Sequence, residues 1–246
     1  MRVSVITVVK NGESTIESAI KSLRSQTYKN IEHIIVDGNS TDKTSSILKK
    51  YSNQNTHIFN LNDKGIYDAI NKGIRLTSGD IIGLLHSDDL FYDRNSIRNV
   101  VEVFNENEID LVYGDLIYVN KNCPKKIVRR WIAGPFEYQK LKNGWMPPHP
   151  TVFLRKKFLI NKELFYDTSY EISSDYDLLL RVFNTNSLRH KYLPKVLVKM
   201  RLGGKSNADL FKVIQKSYED FKILRKNNFG FFSLFLKNFS KLSQFF

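Results

Sequence analysis

The chain is poor in the residues that tie a fold together covalently. Its one cysteine, Cys123, excludes an intramolecular disulfide and a cysteine-based zinc site, and fits a reducing compartment. No stretch reaches the ~18 uncharged apolar residues of a membrane-spanning helix. The opening MRVSVITVVKNG lacks the charged leader and small-residue cleavage site of a signal peptide, so a cytoplasmic location is expected. Neither GxGxxG nor GxxxxGK[ST] occurs, which excludes the dinucleotide fingerprint and the P-loop. Internal repeats and low-complexity linkers are absent as well. Acidic residues are scarce at one end: Arg189 to Phe246 holds thirteen Lys/Arg against three acids, a net +10 of the total +13. The basicity therefore belongs to the C-terminal part, and the first 188 residues are nearly neutral.

What is present is ordinary globular composition, with 246 residues, 41% hydrophobic and 26% charged. That length suits one large domain, or one domain with an appendage. The first ninety residues alternate apolar runs with helical periodicity. Arg2–Val9 ends in the turn signal Lys10-Asn11-Gly12, and Ser14 is placed to cap a helix running to about Ser25. Ile31–Val36 stops at Asp37-Gly38, and a helix follows Thr41. His57–Leu61 precedes a helix over Ile66–Leu76, and Asp80–Leu85 stops at His86-Ser87-Asp88-Asp89. Strands alternating with helices predict an α/β fold with a mostly parallel sheet. The uniformly apolar VSVITVV predicts a strand covered on both faces. Further on, a helix is expected over Ser96–Phe104 and strands over Leu111–Val119 and Ile127–Ile132. GWMPPHP reads as a stiff loop, followed by a helix over Ser174–Val182, a strand over Lys195–Leu202 and a long basic helix over Asn207–Lys226.

In open α/β sheets ligands bind beyond the carboxyl ends of the strands. Four polar clusters fall there and should converge on one edge: Lys10–Gly12, Asp37–Asp42, Asp63–Gly65 and His86–Asp89. Adjacent carboxylates after a buried strand are costly unless a cation joins them. Asp88 and Asp89 therefore read as a hard-cation site for Mg²⁺ or Mn²⁺, with substrate phosphate completing the shell. In isolation such a pair is more often a solvated turn beside a helix cap near Asp93.

The stretches SVITVVKNGESTIESAIKSLRSQTYKNIEHIIVDGNSTDKT, NDKGIYDAINKGIRLTSGDIIGLLHSDD and SSDYDLLLRV together resemble family 2 glycosyltransferases of the GT-A fold. The resemblance covers most of residues 3–89, with further segments to about 204. It implies a Rossmann-like sheet flanked by helices. It also implies an inverting enzyme that moves a sugar from a nucleotide-diphosphate donor, UDP being the commonest, to a glycan or lipid-linked acceptor. A divalent cation, Mn²⁺ or Mg²⁺, is implied at the acidic motif. Residues 1–205 would form the catalytic domain, divided near 90 into nucleotide and acceptor halves, and 206–246 a basic, aromatic-rich helical tail.

Carried over by position, Thr7, Val9 and Asn11 line the nucleotide loop, and Asp37 meets base and ribose. Many relatives have a second aspartate where this chain has Gly38, which leaves the base open. Asp63, Lys64, Tyr67 and Asp68 lie near the donor. His86 stands where relatives have Asp or Asn, so the metal set reads His86, Asp88 and Asp89; imidazole favours softer ions than Mg²⁺. Asp175 matches the general base, with Asp177 pointing elsewhere on the same helix; its other reading is a helix N-terminal charge favoured by the macrodipole. His149 sits in a loop beside the acceptor, and Arg201 and Lys205 are candidates for the diphosphate, each with a plainer reading as loop or turn chemistry. Trp145 either shapes an acceptor pocket or packs.

The segment Phe229–Phe246 holds ten Phe and Leu, with Lys237 and Lys241 between them. It reads as a helix at an anionic membrane surface, or as a segment docked on protein. Three rivals stand beside the transferase. A nucleotidyltransferase would carry a glycine- and basic-rich loop after the first strand, where only KNG is found. A nucleic-acid-binding protein would explain the charge, but no recognition motif is present and no nucleic-acid partner is expected. An inactive relative that binds a nucleotide-sugar rests on His86 and Gly38 alone.

Overall fold

Val3–Val9 forms the central strand β1, buried along nearly its whole length. In this computed structural model, which describes residues 1–106, 108–142, 144–203 and 210–227, β2 (Ile31–Asp37) and β4 (Ile81–Leu84) flank β1 in parallel, and β3 (Thr56–Asn60) pairs with β2. Helices α1 (Ile16–Arg24), α2 (Thr44–Lys49) and α3 (Ile66–Leu76) connect them. Side chains alternate across a strand, and β1 uses both faces. Ile6 and Val8 pack with Ala69, Ile70 and Ile74 of α3, while Val3, Val5 and Val9 pack against α1. The cap of α1 differs from expectation. Thr15 holds the N-cap position without a side-chain bond, and the Gly12 carbonyl accepts the Thr15 and Ile16 amides instead of Ser14 doing the capping.

The second half is mixed. It contains β5 (Leu90–Phe91), α4 (Ser96–Glu106), β6 (Leu111–Val119), β7 (Ile127–Trp131), α5 (Tyr138–Lys142), a 3₁₀ turn (His149–Thr151), β8 (Phe153–Arg155), α6 (Lys156–Asn161), α7 (Ser174–Phe183), β9 (His190–Arg201) and α8 (Leu210–Lys226). Among the described residues nine strands form one sheet in the order β3-β2-β1-β4-β8-β6-β9-β5, with β7 on β6. The parallel arrangement expected from the first ninety residues holds for β1 to β4. Beyond them β8 runs antiparallel to both β4 and β6. Its close approach to β4 needs Gly83, where an added Cβ would lie 2.3 Å from the Phe153 ring. β5, α5, β8 and α6 were not legible because two to six residues are too few to show a period.

Dividing the chain at residue 205 separates in sequence what packing joins. Ile223 and Leu224 of α8 are buried in the same core as Tyr176, Leu178 and Leu180 of α7. Among the described residues no helix is long and apolar enough to cross a membrane. The aromatic segment 229–246 lies outside the described residues.

Candidate active site

Because β1 to β4 are parallel, the loops that follow them share one edge. Asn11, with a left-handed φ of 54°, donates its amide to Ser40 Oγ at 2.9 Å and accepts the Thr41 amide on Oδ1 at 2.8 Å. Gly12 N donates to Thr44 Oγ1 and Glu13 N to Asp42 Oδ2, so the first two loops are tied together. The third loop meets them at Gly38, where an added Cβ would stand 2.6 Å from Asp63 Oδ2 and 3.6 Å from Lys10 Cδ. The Asp63 carboxylate thus occupies the space that a side chain at 38 would take.

Several residues read as donor contacts are committed to the loops themselves. Thr7 and Val9 are buried on the α1 face of β1, the face fixed by strand alternation. Thr7 donates its hydroxyl to the Leu85 carbonyl at 2.8 Å and so fastens β1 to the end of β4. Asp37 is fully buried: Oδ1 accepts the Ser40 amide and hydroxyl, and Oδ2 the Ser45 hydroxyl. It shapes the second loop and offers no open oxygen to base or ribose. Asp68 accepts the Lys64 amide at 3.0 Å and pairs with Lys72 at 2.7 Å. Asn11, half-buried Asp63 and exposed Lys64 remain on the open side.

Thr7 rests on a buried histidine. Its only hydroxyl proton goes to Leu85, so His33 Nε2, 3.0 Å away, must be the donor to Thr7 Oγ1. Burial pushes the His33 imidazole down to about 3. The unfolded chain takes that proton near pH 6.5, so the stabilisation tied to neutral His33 is complete above that value and is lost as pH falls toward 3. Thermal melts from pH 7 to 4 should show a flatter dependence in His33→Gln than in the wild type. Parallel curves would remove His33 from the acid response.

The acidic turn after β4 is braced from β9. The Arg201 guanidinium donates to the Asp88 carbonyl and, at 2.9 Å, to Ser18 Oγ, while the Arg201 amide meets Asp89 Oδ1 at 3.3 Å. Arg201 is buried and holds this turn against α1, so it does not stand open toward a diphosphate. Asp89 is also buried, its Oδ2 has no hydrogen-bond partner among the described residues, and burial together with neighbouring Asp88 raises its pKa. Asp88 is half-buried, and its carboxylate takes no hydrogen bond among the described residues. The expected trio His86, Asp88 and Asp89 is not assembled: among the described residues no three His, Cys, Asp or Glu groups converge as a metal site. A hard cation fits the carboxylate of Asp88, beside buried Asp89, if substrate oxygens complete its shell. Lys205 lies outside the described residues.

On the α3 side the remaining candidates meet. Tyr67 donates its hydroxyl to the Ile172 carbonyl at 2.6 Å, and that oxygen is 3.4 Å from Asp175 Oδ1. Its ring stacks on Tyr166 at 5.5 Å, and the Tyr166 hydroxyl shares a 2.7 Å hydrogen bond with His149 Nε2. The His149 ring lies 6.1 Å from that of His86. Burial pushes His149 down to about 4 and also lowers His86, while the charge of Asp175 opposes both shifts. Asp175 stands in the first turn of α7, where Oδ1 also accepts the Tyr176 amide at 2.8 Å. Asp177 does point away, wholly buried and paired with Arg181 at 2.7 Å. Trp145 packs, with its Nε1 on the Ala133 carbonyl and its ring against Tyr113, Phe136 and Phe183.

Two residues of this region were missed. Tyr166 is held by Asn71, which bonds its backbone N–H and C=O. Glu219 of α8 accepts the amides of Glu171, Ile172 and Ser173 at 3.1, 3.0 and 2.8 Å, the three residues ahead of α7. Neither leaves a local sequence signal, because Tyr166 is anchored from 95 positions away and bonds His149 across 17, and Glu219 acts across 46 or more.

Comparison with known proteins accords with this layout. The family Glycosyl transferase family 2 matches residues 4–169. A PGL/p-HBAD biosynthesis glycosyltransferase of Mycobacterium tuberculosis is 29% identical over 218 residues, covering 87% of this chain and 82% of the relative. The fold is that of S. aureus TarS 1–349 (TM-score 0.69, 20% identity), with 92% of this chain covered; the match spans only 64% of TarS 1–349. TarS 1–349 has also been solved in complex with UDP-GlcNAc. Glucosyl-3-phosphoglycerate synthase from M. tuberculosis, in complex with Mn²⁺, UDP and glucosyl-3-phosphoglycerate, superposes with TM-score 0.64 at 19% identity, covering 92% of this chain and 79% of that one. The architecture is the mixed α/β, GT-A type.

Proposed function

Since the chain belongs to glycosyl transferase family 2, we propose that it moves a sugar from a nucleotide-diphosphate donor to an acceptor hydroxyl with inversion at the anomeric carbon. The observation that carries this reading is the placement of Asp175. A helix from the second half of the chain brings its carboxylate to the edge where β1 to β4 end, fixed beside Tyr67. Oδ1 is engaged by the Tyr176 amide and faces the Tyr67 hydroxyl, which leaves Oδ2 to take the acceptor proton as the new bond forms. Asn11, Asp63 and Lys64 are the residues left to receive the nucleotide. Asp88 would hold a divalent cation, Mn²⁺ or Mg²⁺, which when bound offsets the charge on the leaving diphosphate. UDP or a UDP-sugar is bound in complexes of two structural neighbours and GDP-Man in that of a third, so UDP is the first nucleotide to test. The basic, aromatic C-terminal segment favours a glycan or lipid-linked acceptor assembled at the inner face of the cell membrane.

Calorimetric titration with UDP, GDP, dTDP and CMP, each with Mn²⁺ and with EDTA, tests the donor site. One diphosphate should bind, and only with metal. No binding by any of the four would remove the donor site, and with it the transferase reading.

A further inference from the structure

Helix α8 is turned the wrong way for a helix that faces water. Its two carboxylates, Glu219 and Asp220, are 7% and 2% exposed and face the protein. Its outer surface instead shows Val213, Ile214 and Tyr218 at 47%, 61% and 57% exposure. Ile214 and Tyr218 are one turn apart and so share a face. Beside them stand cations: exposed Lys222 with its Nζ 4.4 Å from the Tyr218 ring, and exposed Arg225 over Phe221. Lys226 is drawn back, to Asp167 at 3.1 Å.

We propose that this outer face of α8 docks onto an anionic lipid bilayer. Apolar side chains flanked by lysine and arginine match the boundary between acyl chains and phosphate headgroups, where cations on long stems reach the phosphates while their neighbours enter the apolar layer. A second copy of the same face fits less well, because pairing it with itself opposes cation to cation. The chain that follows carries the same chemistry, ten Phe and Leu with two lysines between Phe229 and Phe246. Docking is also tied to the site. Glu219 follows Tyr218 directly and holds residues 171–173, so a bilayer at α8 lies beside the element that presents Asp175. Only this last consequence rests on the transferase reading; the docking itself does not.

The test is co-sedimentation of the full chain with vesicles of phosphatidylglycerol and phosphatidylcholine, and of phosphatidylcholine alone. The wild type should pellet with the anionic vesicles only. Ile214→Glu/Tyr218→Glu should lower that binding by about tenfold or more, as should Lys222→Gln/Arg225→Gln, which leaves the apolar residues in place. Nucleotide binding should be unchanged in both, which shows that the donor site is intact and separates failure of docking from failure of the transferase reading. Wild-type vesicle binding in both variants would overturn the proposal, as would equal binding to neutral vesicles or none at all. A dimer in sedimentation velocity that Ile214→Glu/Tyr218→Glu dissociates, without any vesicle effect, would assign the face to a second copy instead.

Discussion

Replacing Asp175 by Asn should reduce sugar transfer by about 10²–10⁴-fold and leave nucleotide affinity where it is. The substitution keeps the shape and the helix position but removes the group that takes the acceptor proton. Among the described residues Asp175 makes no hydrogen bond to β1 to β4; its link to that half is the Tyr67 hydroxyl from α3, and that donor is already satisfied by the Ile172 carbonyl. The nucleotide loops should therefore hold their geometry. The checks are initial rates with a soluble acceptor and calorimetry with the donor nucleotide. Turnover at the wild-type rate would strip Asp175 of its role. A parallel loss of nucleotide affinity would show that it shapes the donor site rather than serving as the base.

The second large effect belongs to Glu219. Glu219→Ala removes the acceptor of three charge-assisted hydrogen bonds, 2.8–3.1 Å long, from a buried position. Leaving those amides without their partner should cost about 3 kcal/mol of stability. In a domain of this size that lowers the melting temperature by roughly 6–12 °C. Glu219→Gln keeps one carbonyl oxygen and should restore part of the loss. The carbonyl of Ile172, in the middle of the same segment, anchors Tyr67. Activity should therefore fall as well, in kcat for the acceptor step more than in donor KM, because among the described residues Glu219 hydrogen-bonds the segment 171–173 and none of the loops after β1 to β4. A melting temperature equal to the wild type in Glu219→Ala would mean that water replaces the carboxylate at no cost.

Much of the first half was legible in the sequence. The run VSVITVV could only be a strand covered on both faces, and three more apolar runs alternating with helical periods could only be laid beside it as parallel strands. Once those strands are parallel, Lys10–Gly12, Asp37–Asp42, Asp63–Gly65 and His86–Asp89 must share an edge, and they do. Residue type and position did not reveal which side chains on that edge are free. Thr7, Asp37, Asp68 and Arg201 all carry groups suited to a ligand, yet each is consumed by a neighbour in the fold.

The sequence by itself determined the α/β class and the edge on which the polar loops converge, because those follow from the period of the chain and from short polar motifs; the aspartate at the head of α7 came from the resemblance of SSDYDLLLRV to the family. Tertiary structure alone decided the rest. It set β8 antiparallel between β4 and β6, stacked Tyr166 on Tyr67 and bonded it to His149, turned Asp89 inward beneath Arg201, and sent Glu219 across the fold to hold the segment ahead of Asp175. The reason is physical: hydrogen-bond partners and burial depend on which surfaces meet in space, and partners that lie from 17 to 112 positions apart leave no periodic trace along the chain.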